Sequence, residues 1–179
     1  MEMKKLICII AAAVLILVGC AKEPEFSEHI EPVVAAMVNI PDETYFDPEA
    51  TLYIGLGVDE PTEEEVKEAE ERAGKIQANW LVLGEKHFSP NCMAPFLNQG
   101  IAQMFHALAD LEYAESMELK AIELTERSAQ GDERVKVTVV IDGEREESFE
   151  MTFSYDKDGM IDKVTLPDNA EILRVMEGE

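Results

Sequence analysis

The hydrophobic pattern of this chain changes period near Tyr113, from the three-and-four spacing of helices to the every-second-residue spacing of strands. Ahead of that point lie Ile30, Val33, Val34 and Met37, then Val66, Ala69, Ala73, Ile76, Trp80, Leu83 and His87, all at helical intervals. After it, Val135, Val137, Val139 and Ile141 fall on alternate positions, as do Phe149, Met151, Phe153 and Tyr155. Helices grouped ahead of strands point away from βαβ crossovers and towards an antiparallel sheet. The expected class is α+β, with the helices of the first half packed on one face of a curved antiparallel sheet of about four strands.

Local signals sharpen this reading. Pro32 suits a first helical position, where its missing N–H costs nothing, and Pro41 closes that helix. Residues Pro48–Leu56 read as another short helix, although Gly55 and Gly57 argue against it. Thr62 and Glu65 form a capping box at the start of the long helix. On its outer face Glu63–Lys67, Glu68–Arg72 and Glu71–Lys75 are placed for ion pairs four residues apart. Pro90 and Pro95 should break the chain before a further helix carrying Phe96, Leu97, Ile101, Met104, Phe105 and Leu108, with Gly100 inside it.

In the second half, parity constrains register. Met117 and Leu119 share one parity and Ile122 and Leu124 the other, which predicts a bulge near Ala121. A two-residue turn at Asp142-Gly143 would set Val137 opposite Ser148 and turn the apolar sides of two strands to opposite faces. An odd-numbered loop or a glycine bulge is therefore expected there. A two-residue turn at Asp158-Gly159 needs no correction, because it sets Phe153 opposite Val164.

At the amino-terminus, Lys4 and Lys5 precede an apolar run from Leu6 to Val18 that ends in Leu17-Val18-Gly19-Cys20. As a helix that run reaches roughly 20 Å, too short to span a bilayer. The charged start, greasy segment and terminal cysteine resemble the lipobox of bacterial lipoproteins. The resemblance implies that residues 1–19 are a signal peptide, removed once the Cys20 thiol has received a diacylglycerol. It also implies a protein lipid-anchored at the cell membrane, facing outside the cytoplasm. Two or three acyl chains make a lasting anchor where one binds marginally. Residues 20–29 then form a short tether and residues 30–179 a single domain.

The formal net charge of −23 sets limits on partners. Such a surface repels phosphate backbones, so no nucleic-acid partner is expected. Once Cys8 leaves with the signal peptide and Cys20 is acylated, Cys92 is the sole remaining cysteine and no internal disulfide forms. Beside Met93 and Phe96 it reads as a small buried hydrophobe. His29, His87 and His106 show neither HxH nor HExxH spacing, so neither a metal site nor a cofactor is expected. The run from Asp156 to Asp162 lacks the ligand spacing of a calcium loop and reads as a hairpin turn.

His106, Asp110 and Tyr113 follow at intervals of four and three, so one helix face carries all three, as an acid–base set would require. The favoured reading against this is that His106 caps the polar edge of an apolar helix while Asp110 and Tyr113 are ordinary boundary residues. In element order, residues Ile30–Leu166 resemble the NTF2-like cone fold, which is similar to what many small bacterial lipoproteins carry. That resemblance implies a cone and no particular activity. The favoured function is a non-catalytic domain binding an envelope protein or a small-molecule ligand. The alternative is a small NTF2-like enzyme of isomerase or hydratase type, using His106, Asp110 and Tyr113.

Overall fold

A computed structural model describes residues 26–50, 61–98, 100–111 and 113–177. The expected signal peptide, Cys20 and residues 51–56 of the helix expected at Pro48–Leu56 lie outside the described residues. Its first three residues, Pro48–Ala50, form a 3-10 turn.

Helix α1 spans Ile30–Val38 and buries Ile30, Val33, Val34 and Met37, the residues its spacing singled out. Pro32 sits at the third helical position instead of the first. The cost is equally small, since the first four N–H groups of any helix lack an internal partner. Beyond its end, Ile40 precedes a cis bond to Pro41 and forms an antiparallel bridge with Met117.

Helix α2, Glu63–His87, starts in the expected capping box: Glu65 N–H donates to the Thr62 hydroxyl at 3.2 Å, and Thr62 N–H to the Glu65 carboxylate at 2.7 Å. Ala69, Ile76, Trp80 and Gly84 are buried along its inner face, whereas Ala73 is exposed. Outside, the three expected ion pairs give way to other partners. Lys67 lies 3.8 Å from Glu71, and Arg72 turns to Asp47 at 3.0 Å and Glu49 at 2.8 Å. Together with Trp80 Nε1–H on the Tyr45 carbonyl and Asn79 Nδ2–H on that of Thr44, these bonds fasten the 42–50 segment along α2.

The next helix is divided differently from expectation. Helix α3, Pro90–Asn98, holds Pro95 inside it, and α4 is a separate short helix, Met104–Asp110. Gly100, at φ +71°, breaks the two apart where a continuous helix was expected. Phe96 and Phe105 are consequently buried from two directions, Phe96 against Trp80 and Phe88, Phe105 against Phe149. Pro95 is tolerated because it removes one internal bond from a nine-residue helix whose Ser89 hydroxyl caps Cys92 N–H.

The strands β1 (Met117–Arg127), β2 (Glu133–Ile141), β3 (Arg145–Tyr155) and β4 (Ile161–Thr165) pair as an antiparallel meander in that order. Register shifts in β1 between Leu119 and Ala121, and again between Leu124 and Glu126, bring Leu119, Ile122 and Leu124 onto the core. The β2–β3 loop has three residues, and Asp142 and Gly143 both take positive φ in a turn closed by Glu144 N–H on the Ile141 carbonyl at 3.2 Å. Val137 therefore faces Phe149, as the odd-loop argument requires.

The last hairpin departs from its expected two-residue turn. Asp156 pairs with Met160 around Lys157-Asp158-Gly159, and a shift after Ser154 then leaves Asp162 as a bulge. An odd turn and a one-residue bulge cancel, so Phe153 still faces Val164.

One element had no counterpart in the sequence reading. Helix α5, Asn169–Glu177, is capped by Asp168, whose carboxylate accepts Glu171 N–H at 2.9 Å. It buries Ile172, Val175 and Met176, and Arg145 closes its far end by donating to the Val175 and Met176 carbonyls at 2.7 and 2.6 Å. The molecule is α+β, with one core between the helices and one face of the sheet. Lys136 and Glu150, a residue out of phase with Val137 and Phe149, mark the sheet's exposed face.

Candidate functional site

His106 owes its position to the end of α1. The last four carbonyls of a helix need outside partners, and Asn39 N–H takes that of Ala35. The carbonyl of Ala36 accepts from His106 Nε2–H at 3.0 Å, with the imidazole stacked on Phe46 at 5.5 Å. A carbonyl only accepts, so the bond fixes the proton on Nε2. At 1% exposure the ring is desolvated, which lowers its pKa, while the Ala36 bond and the charge of Asp42 act the other way.

A cleft of about 670 Å³ lies beside this imidazole, lined by Ile40, Asp42, Phe46, His106, Asp110 and Glu115 among others. His106 and Asp110 thus reach one cavity. Tyr113 does not: it is 37% exposed and outside the lining, because α4 ends at Asp110 and the helical spacing stops applying. The proposed three-residue set is not assembled.

A second cleft, of about 770 Å³, runs between α2, α3 and the β3–β4 turn. Leu81, Phe88, Met93, Leu97 and Met160 supply its apolar wall, and Glu85, Asp156 and Asp158 its charged lining. Gly84 allows α2 and α3 to meet here, since a Cβ on it would coincide with the terminal methyl of Met93. A glycine inside an otherwise well-formed helix is the signal in the sequence for such a close approach. Which partners converge on it was not readable. Asp156 is already engaged, its carboxylate accepting the N–H groups of Asp158 and Met160 that shape the turn.

Cys92 is buried, and its thiol pKa is pushed up to about 11 by burial first and by the charge of Asp162 second. It is therefore a thiol and not a thiolate near neutrality, as the reading of a buried hydrophobe anticipated.

Glu133 is the most deeply buried carboxylate among the described residues, at 4% exposure. Arg127 Nε–H and Nη2–H donate to one oxygen, the Nε–H at 3.0 Å. Tyr155 O–H at 2.7 Å and the backbone N–H of Ser27 at 2.8 Å serve the other. Burial and the bond to Glu133 raise the Tyr155 pKa. This cluster holds residue 27, counted above with the tether, against the sheet. Its signal was parity: Glu133 shares the inward phase of Val135 and Val137, so its carboxylate had to find donors inside.

The three histidines are less scattered than their spacing suggests. His29 and His87 bring their Nδ1 atoms to 3.1 Å, the rings meeting edge to face. Among the described residues no group of three or more His, Cys, Asp or Glu gathers as metal ligands. None of the described helices is long and apolar enough to cross a membrane.

Searches against protein-family models, curated proteins and solved structures find no match to this chain.

Proposed function

We propose that this is a lipid-anchored cell-envelope protein whose globular domain binds a partner without chemistry, in the cleft between α2, α3 and the β3–β4 turn. The single observation that carries the reading is the lining of that cleft: an apolar wall with Glu85, Asp156 and Asp158 and, among the described residues, no Lys or Arg. Apolar contact supplies affinity there and carboxylates select for positive charge. The fitting occupant is an amphipathic, basic segment of another envelope protein. Beside the chain's net charge of −23, an anionic ligand is disfavoured.

The isomerase or hydratase reading fares less well. Its Tyr113 stands outside the cleft that His106 and Asp110 share, and His106 Nε2 is committed to α1. The test is titration of a labelled Leu/Lys amphipathic peptide, followed by fluorescence anisotropy. Binding is expected to weaken with added salt and to fall about tenfold in Leu81→Asn, which removes apolar contact without adding charge, with His106→Asn unchanged. Equal binding by Leu81→Asn and the unaltered protein overturns the proposal.

A further inference from the structure

One atom of His106 is left without a use by the fold. Its Nε2–H serves the Ala36 carbonyl, so Nδ1 of the neutral ring carries a lone pair that points roughly 140° away from that bond. No group among the described residues meets it. The residue is 1% exposed, and no fully enclosed side-chain nitrogen or oxygen among the described residues lacks a partner. Nδ1 is therefore open to the space that the ring lines, which is the cleft of about 670 Å³ between segment 40–48 and α4. A buried acceptor directed into a cleft calls for a donor from outside the chain.

The charge of the cleft narrows the choice of donor. Asp42, Glu43, Asp110 and Glu115 contribute to its lining, and no Lys or Arg among the described residues does. Asp42 and Glu115 are set in place by the backbone around them. The Thr44 N–H holds one Asp42 oxygen at 2.9 Å and leaves the other without a partner among the described residues, and the backbone N–H of Glu115 is tied to Asp142 at 2.8 Å. A bare metal ion does not suit this arrangement, because no three His, Cys, Asp or Glu side chains among the described residues gather around one point. The negative charge is spread along the cleft, and Ile40 and Phe46 supply apolar surface beside it. Such a lining matches a cation whose charges are separated by methylene groups.

We propose that the cleft beside His106 binds a linear aliphatic diamine or polyamine, one ammonium group donating to His106 Nδ1 and to carboxylates of the lining, with the methylene stem against Ile40 and Phe46. An ammonium has three donors and no acceptor, so one such group serves Nδ1 and two carboxylate oxygens together. A quaternary ammonium carries the same charge and cannot donate, which separates this recognition from the general attraction of cations to a chain of net charge −23. The cleft shares no described lining residue with the one between α2, α3 and the β3–β4 turn, so either proposal can fail without the other.

The experiment is calorimetric titration of the full chain in detergent with hexamethylenediamine and with its fully N-methylated analogue, at about 0.15 M salt so that loosely held counterions are screened. Expected are one diamine per chain and binding about tenfold weaker for the methylated analogue, which leaves the buried acceptor without a charged donor. The double variant Asp42→Asn, Glu115→Gln removes two charges while keeping acceptor oxygens, and should bind the diamine about tenfold more weakly. His106→Gln, whose amide can still donate to Ala36, should lose the preference for the diamine over its methylated analogue, with far-ultraviolet circular dichroism as the control of folding. Equal affinity for the two ligands in the unaltered protein overturns the proposal and needs no variant to fold. Unchanged diamine affinity in the folded double variant, or the preference retained in folded His106→Gln, overturns it equally.

Discussion

Single side chains in this protein act mainly by satisfying groups that the fold would otherwise strand. His106 is the clearest case, because its Nε2–H meets a carbonyl at the end of α1 that has no partner inside the helix. Its lowered pKa makes stability depend on pH in one direction. Below the ordinary value of 6.5 the unfolded chain binds a proton that the folded one still refuses, so this contribution declines as pH falls from about 6.5 and levels off below the folded pKa. His106→Asn, which keeps a donor, should therefore lose less stability than the unaltered protein between pH 7 and pH 5, read as the shift in urea midpoint. Glu133 is the second case. Glu133→Ala strands the Ser27 N–H and the Tyr155 hydroxyl and should cost about 2–3 kcal/mol in urea unfolding, the penalty of leaving such buried groups without partners. A loss under about 0.5 kcal/mol would mean that water serves those donors equally well.

At the scale of elements, the paired corrections are the most instructive. The β3–β4 hairpin has an odd turn where an even one was expected, yet a bulge at Asp162 returns Phe153 to its place opposite Val164. Burial of the Phe153 face, at 0% exposure, constrains the register more strongly than either turn does. The α2–α3 contact depends likewise on one residue. Gly84→Ala gains roughly 1 kcal/mol of helix propensity and must displace the Met93 thioether, the flexible end of a side chain. Its unfolding free energy should stay within about 1 kcal/mol of the parent while the displaced methyl narrows the cleft and weakens peptide binding. Parallel denaturation and anisotropy measurements check both halves of that expectation.

Over the whole molecule, the proposed anchor and the domain should be separable. Cys20→Ser should abolish incorporation of labelled acyl chains and release the protein from the membrane fraction, with no change in the melting of the domain, whose core packing among the described residues includes Phe26. Undiminished labelling would remove the lipid from the proposal. Much of the fold was legible in the residues themselves: the change of period near Tyr113, the box at Thr62, the bulge before Ala121 and the odd loop at Asp142. Each is local, since helix and strand periods decide which face a side chain presents before any partner is chosen. The helix at Asn169 carries signals of the same kind, in Asp168 as its cap and in the spacing of Ile172, Val175 and Met176. Only tertiary structure decided that α4 begins beyond Gly100, that Tyr113 leaves the face of His106, and that His29 meets His87. Those outcomes depend on where whole elements come to rest on the sheet, and no spacing along a chain encodes a distance between two residues that only packing brings together.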